Sequence, residues 1–362
     1  MFFKRKNSSG LGIDIGSKTI KAIEIENTGM GCQVKTAVRG ATPQGTVADG
    51  IIVDASRLAS ALSDLVEGYG WRGRSVVSAI GGRKVVTRHI RVPVMPEKEL
   101  LSAVKWEAEK YLPAANQEMV MDFKCLGEIN AGGNKQLLII VATLPLDIAH
   151  AYYDLFASAQ LKLVAIDIVP LALMRWATSP LGNAPSDTNS FALAELGAET
   201  THLVIAERGQ IAFARTIPLG GAQVAKLLST ALEQSFPEVL KEDQKQKKTG
   251  LPNDYLQLGE AAASLGETRV DVFLQSSLAE LVRELRRSLD FYRTQAPNSQ
   301  MDKILLTGGL SLLPGIKPFL HRELDRIVEI GVIHSQTAGA HTLTLDAGFS
   351  LATGLALREV VG

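Results

Sequence analysis

The sequence predicts an α/β protein built from two copies of one domain, and three observations carry that prediction. A strand–turn–strand pattern near the N-terminus recurs 181 residues later. A buried strand followed by paired glycines, Ile304 to Gly309, lies in the second half of the chain. Between the copies, residues 74–143 alternate strand and helix patterns that read as a small separate subdomain.

The first copy is LGIDIGSKTIKAIEIE, residues 11–26. Leu11, Ile13 and Ile15 alternate with Gly12, Asp14 and Gly16; Ile20, Ala22, Ile23 and Ile25 then resume an apolar pattern around Lys21, Glu24 and Glu26. That alternation is a hairpin signature. Its turn, Gly16-Ser17-Lys18-Thr19, is rich in small residues and backbone N–H groups, and Asp14 stands two residues ahead of its glycine. Taken alone, such a turn either holds an anion or simply reverses the chain.

The second copy sharpens the choice. Phe191 to Thr200 lies under Gly10 to Thr19, with Gly197 under Gly16, Thr200 under Thr19 and the acid Glu195 under the acid Asp14. A third strand follows each, Cys32 to Thr42 and Gln210 to Ile217. Repeats at this distance indicate a duplicated domain, since solenoid periods run roughly 20–50 residues. Two such turns facing one cleft would aim rows of N–H groups at phosphate oxygens. They would also aim two carboxylates at Mg²⁺, usually through water.

The third element, ILLTGGLSLLPGIKPFLH, spans residues 304–321. Ile304 to Leu306 read as a buried strand, Gly308-Gly309 as a tight turn, and Pro314 as a helix opening. Paired glycines let a backbone approach a flat ring; an ordinary strand-to-helix turn is the plainer reading of this segment alone. In the inserted region, Ser75 to Gly82 and Lys84 to Pro93 read as strands, Glu97 to Tyr111 as a helix, and Glu118 to Gly127 and Lys135 to Thr143 as strands.

Composition excludes several classes. A chain of 362 residues suggests two or three domains, and 46% hydrophobic residues can fill a sizeable core. Thirty-eight basic residues balance 38 acidic ones, against a nucleic-acid protein driven by basic charge. Cys32 and Cys125 form no framework, which fits a reducing compartment, and the scattered histidines lack metal-ligand spacing. Met1 to Lys6 is basic without an apolar run, and no window reaches the length of a membrane span, so a soluble cytoplasmic protein is expected. Gly10-x-Gly12-x-x-x-Gly16 imitates a dinucleotide fingerprint, but a strand follows it instead of a helix, and no P-loop motif is present.

In order and spacing, the three elements resemble the phosphate 1, phosphate 2 and adenosine motifs of the actin-like ATPase fold, with its duplicated RNase H-like domains. Within it the chain resembles the PilM family of type IV pilus assembly proteins. That likeness rests on VPVMPEKEL…WEAEKYLP…DF between residues 92 and 123, on RRSLDFYR at 286–293 and on AGFSLATGLALRE at 347–359. It implies a subdomain 1A of residues 1–73 and 144–183 with a final helix in 345–362. It further implies an FtsA-type 1C insertion at 74–143, a subdomain 2A at 184–237 and 270–344, and a subdomain 2B flap at 238–269.

The resemblance implies ATP or ADP with Mg²⁺ as cofactors. Asp14 and Glu195 would be the catalytic and Mg²⁺-orienting carboxylates. Gly16, Ser17, Lys18 and Thr19 would wrap the β- and γ-phosphates, with Lys21 adding charge; Thr19 completing the hairpin and Lys21 as a solvated strand residue are the plainer alternatives. Gly197, Ala198, Glu199 and Thr200 would form the second loop. Gly220 opens a helix over Ala222 to Gln234 whose N-terminus would face the nucleotide, or which simply starts there. Glu242 and Lys245 match the adenosine-side Glu-x-x-Lys, in a stretch polar enough to be a solvated face. Gly308, Gly309 and Leu310 would pack near base or ribose.

Glu195 departs from the usual aspartate, so weak or absent ATPase is expected, because a displacement of about 1 Å can cost roughly a hundredfold in rate. The implied partners are the cytoplasmic N-terminal tail of PilN, in a 1A/1C groove built from residues between roughly 80 and 125, and through it PilO and the motor and platform proteins. Location at the inner face of the membrane would be through partners, nucleic acid is not expected, and homo-oligomerisation stays open. An FtsA-like filament protein and a small-molecule kinase are the alternatives. The first lacks its C-terminal amphipathic helix here, and the second has no legible acceptor pocket.

Overall fold

The computed structural model describes residues 8–28, 31–110, 118–131, 133–185, 190–226, 267–296, 299, 301–336 and 342–361. Two five-stranded sheets organise it. The first runs β10 (Lys162–Ile168), β6 (Ser75–Ile80), β1 (Ser9–Ile15), β2 (Thr19–Thr28), β3 (Gly31–Ala41). The second runs β15 (Ile327–Ile330), β14 (Lys303–Thr307), β11 (Ser190–Leu196), β12 (Thr201–Glu207), β13 (Gln210–Ile217). In each, three antiparallel strands form a meander and two parallel strands extend the sheet beyond its first strand. The duplication read from the sequence is a duplication of topology.

The inner strands β6, β1, β11 and β14 are buried on both faces because helices cover both faces of each sheet. Helices α1 (Ala55–Gly68) and α3 (Leu146–Ser158) cover the outer face of the first sheet. Helix α1 starts on the side chain of Asp54, which accepts the Arg57 N–H, and it buries Leu58, Leu62 and Val66 along one stripe. Helices α5 (Glu267–Gln295) and α6 (Ile316–Leu324) cover the outer face of the second sheet. Between the sheets lie α4 (Val169–Ala177) and α7 (Ser350–Val361), in a core that joins Ile23 and Val77 of the first lobe to Leu193 and Val204 of the second. Helix α7 is buried almost all round, as a helix packed between two sheets must be.

Close backbone approach sets that central layer. A Cβ at Gly12 of β1 would lie 2.2 Å from the Ala352 carbonyl oxygen of α7, and one at Gly354 would lie 1.9 Å from the Ala172 oxygen of α4. Of the three glycines that imitated a dinucleotide fingerprint, Gly10 and Gly12 let a helix sit on the sheet, while Gly16 belongs to the turn.

A third sheet, β7 (Val86–Pro93), β9 (Asn134–Pro145), β8 (Met119–Ala131), packs with α2 (Glu97–Glu109) around Ile90, Val104, Ile139 and Val141. Its membership corrects the boundary at residue 74. Ser75–Ile80 pairs in parallel with both β1 and β10, so it belongs to the first main sheet, and the insertion starts after it. Helix α2 ends at Glu109, with Tyr111 outside the described residues. Residues 267–269, grouped with the flap, begin the long helix α5, and the rest of 238–269 lies outside the described residues. Two short hairpins complete the chain, β4 (Val47–Ala48) with β5 (Ile51–Ile52) and β16 (Ile333–Gln336) with β17 (Thr342–Leu345). Leu345 therefore ends a strand, and the final helix starts at Ser350 after a short 3₁₀ turn.

Candidate functional site

The two hairpins superpose in register. Ser9 pairs Glu26 and Ile15 pairs Ile20; Ser190 pairs Glu207 and Leu196 pairs Thr201, each 181 residues on. Each turn closes with the same bond: the Gly16 N–H donates to the Thr19 carbonyl and the Gly197 N–H to the Thr200 carbonyl, both at 3.0 Å. Both turns border one cleft of about 110 Å³ between the lobes, lined by Asp14, Gly16 to Thr19 and Lys21 from the first lobe and by Glu195 and Gly197 to Thr200 from the second.

The acids differ in their surroundings. Asp14 faces Lys21 across the hairpin and accepts its Nζ at 3.2 Å, with both side chains largely buried. Lys21 is thus neither solvated nor a free cation. Glu195 faces His202 in the equivalent register. Burial pushes its carboxyl up to about 7, the nearby Asp14 charge adds to that rise and Lys21 partly offsets it. His202, held down to about 4 mainly by burial, is neutral and bonds Thr216 Oγ1 through Nδ1 at 3.1 Å.

The structure reassigns three expected ligands. A Cβ at Gly308, which has φ +84°, would lie 2.6 Å from Glu195 Oε1 and 2.5 Å from the Leu196 oxygen, so this glycine makes room for the carboxylate. Gly309 lines the cleft, but the Leu310 side chain is fully buried in the second lobe's core. Gly220 packs behind the second turn: the Gly221 N–H donates to the Gly197 oxygen at 2.9 Å and the Ala222 N–H to the Ala198 oxygen at 2.8 Å. That helix start, described as far as residue 226, spends those donors on the loop it supports. Glu242 and Lys245 lie outside the described residues.

Sequence reasoning missed several residues that line the cleft: Arg39, Asp49, Gly50, Gly81, Gly82 and His202. A signal for one pair was present. Gly81-Gly82 follows β6 as Gly308-Gly309 follows β14, and those strands hold equivalent places in the two sheets. One guanidinium nitrogen of Arg39, Nη2, donates to both carboxylate oxygens of Asp346 (2.8 and 3.0 Å), and Asp346 also accepts the Gly348 N–H, which ties the first meander to the turn ahead of α7.

Among the described residues no group of three or more His, Cys, Asp or Glu side chains could hold a metal ion. Asp14 and Glu195, two carboxylates lining one cleft, do fit a hydrated Mg²⁺ that would take its other ligands from water and phosphate.

A second cavity, about 890 Å³, runs between the first and third sheets. Val164 to Ile168 of β10, Val120 and Asp122 to Lys124 of β8 and Ile140, Ala142 and Leu144 of β9 line it, with Leu171 and Arg175 of α4 and Arg358 and Glu359 of α7. Strands β10 and β8 are both end strands of their sheets. Asp167 in the groove is gripped by Arg175 at 2.9 Å and Arg358 at 3.2 Å. The window of residues 80–125 supplies one wall of this groove; β6, β9, β10, α3, α4 and α7 supply the rest. Among the described residues no helix is long and apolar enough to cross a membrane.

Solved structures place this architecture. The chain is similar to one in a PilM–PilN type IV pilus biogenesis complex at TM-score 0.73 and 28% identity, covering 98% of this chain and 99% of that one. It shares its fold with the ethanolamine utilization protein EutJ from Carboxydothermus hydrogenoformans (TM-score 0.55, 15% identity, 97% and 90% covered). It also shares it with MreB5 of Spiroplasma citri bound to AMPPNP (TM-score 0.50, 11% identity, 99% and 97% covered). The fold is actin-like, as the order of the motifs predicted. The model of the family "Type IV pilus assembly protein PilM" matches residues 12–360, and the chain belongs to that family.

Proposed function

We propose that this protein is an ATP-binding cytoplasmic adaptor of the type IV pilus inner-membrane platform, whose 890 Å³ groove takes the N-terminal tail of PilN. One observation carries the reading: in a member of this family, two end strands flank one apolar groove of peptide size. An extended peptide gains main-chain bonds on such an edge and seats alternate side chains in apolar pockets, here between Val77, Ile140, Leu144 and Leu171. PilN, membrane-anchored, then connects the adaptor to PilO and to the motor and platform proteins. In this reading residues 1–80 and 146–183 with α7 form subdomain 1A and the third sheet with α2 forms 1C.

The cleft would hold the nucleotide. The N–H groups of the Gly16–Thr19 and Gly197–Thr200 turns would face the β- and γ-phosphates from opposite lobes. Asp14 and Glu195 would orient the water shell of Mg²⁺, which neutralises phosphate charge when bound. The extra methylene of Glu195 would displace its carboxylate from the place an aspartate's takes, which supports binding with weak or absent hydrolysis.

Calorimetry with a PilN-tail peptide tests the assignment. We expect stoichiometric binding, weakened at least tenfold, or about 1.4 kcal/mol, by Phe123→Glu in the groove wall. Absence of binding by the native protein overturns the reading. A change in peptide affinity with Mg-ATP present identifies the two sites as coupled; equal affinities identify a static adaptor.

A further inference from the structure

The cleft of about 110 Å³ is smaller than the roughly 300–1,000 Å³ that small-molecule sites occupy. Something must part the lobes before a nucleotide enters, and the lobes touch across the mouth of the cleft. Glu199, on the second-lobe turn, accepts the backbone N–H of Asp49 from the first lobe at 2.7 Å. Beside it, the His202 ring rests on Gly81, where a Cβ would lie 3.3 Å from Nε2.

The first-lobe side of this contact is a rigid platform. Asp49 and Gly50 both have positive φ (+50° and +73°). A Cβ at Gly82 would lie 2.0 Å from the Asp49 oxygen, and one at Gly50 would lie 2.3 Å from the Gly81 oxygen, so the two segments are packed backbone to backbone. The Asp49 carboxylate is occupied by Arg83, through its N–H at 3.1 Å and Nε at 2.9 Å. That leaves the Asp49 N–H pointing across the cleft at the Glu199 carboxylate.

We propose that Glu199 is a latch: its carboxylate, seated on the Asp49 N–H, holds the cleft shut, and a nucleotide enters only when that bond opens. This rests on the nucleotide reading of the cleft and adds a regulating residue to it. A latch lowers apparent affinity by the fraction of open molecules, while leaving the contacts made in the bound state alone.

Two substitutions separate a latch from simple charge repulsion. Gln at 199 keeps an oxygen acceptor and drops the charge; Ala drops both. In mant-ATP binding the latch requires Glu199→Ala to raise apparent affinity about fivefold over the native protein, and to bind at least threefold more tightly than Glu199→Gln. Equal gains in both variants overturn it in favour of repulsion. Hydrogen exchange without nucleotide supplies the second arm. Amides of residues 47–50, 81–83 and 197–202 should exchange at least threefold faster in Glu199→Ala than in the native chain, and unchanged exchange overturns the latch. If exchange accelerates while no variant binds mant-ATP, the latch stands and the nucleotide reading falls.

Discussion

The two hairpins at the cleft have one backbone and two charge arrangements. Register and turn bond match pair for pair. Yet the first copy sets aspartate against lysine, an ion pair, whereas the second sets glutamate against a neutral histidine. The packing behind them differs as well. Gly10 and Gly12 of the first copy face α7 at backbone contact, while their counterparts Phe191 and Leu193 fill the central core with side chains. Duplication therefore carried over hydrogen-bond geometry, which any residues can make, and let go of charge and volume, which each lobe settles with its own neighbours.

The largest expected effect breaks the packing half of this comparison. Gly12→Leu installs the residue that the second copy carries at the same place, and it drives a side chain into the backbone of α7. It should cost roughly 3 kcal/mol or more, or prevent folding, as judged by urea unfolding and soluble yield. A stable Gly12→Leu protein would mean that α7 is free to shift.

Next comes the ion pair. Lys21→Met strands Asp14 without its partner in a largely buried site, and should destabilise by about 3 kcal/mol at pH 7. The matching His202→Gln change, which strands no charge, should cost under about 1 kcal/mol by the same denaturation measurement.

The pH dependence then separates the acids. Glu195 titrates at about 7 when folded and at its ordinary 4.5 when unfolded, so its ionisation opposes folding. The cost grows as pH rises from 4.5 to 7 and is complete above that. Glu195→Gln should therefore gain on the order of 2–3 kcal/mol at pH 8 and almost nothing at pH 4, read from urea midpoints. His202 has the opposite sign: held at about 4 against an ordinary 6.5, it costs stability as pH falls through that window. A Glu195→Gln gain that is flat across pH would dismiss the buried-charge account.

The last expected effect is on rate. Glu195→Asp restores the shorter acid, and single-turnover ATP hydrolysis should rise about tenfold, or roughly 1.4 kcal/mol. A fast native enzyme that the swap leaves unchanged would contradict the reading of Glu195.

Local periodicity determined much of this molecule. Both meanders, the strand ahead of Gly308-Gly309 and the glycine-centred turns were legible because alternation and turn chemistry act over neighbouring residues. So was the pairing of Asp14 with Glu195, since a repeat carries equivalent positions to equivalent places. Only the tertiary structure decided the rest. It assigned Ser75–Ile80 to the first main sheet, because parallel pairing joins strands distant in sequence. It turned Lys21 onto Asp14, gave Gly308 to the Glu195 carboxylate, sank Leu310 in the core and brought Asp49, Gly81 and Glu199 together. Each of these depends on what lies opposite in space, and the residues opposite come from segments whose spacing along the chain carries no trace of the meeting.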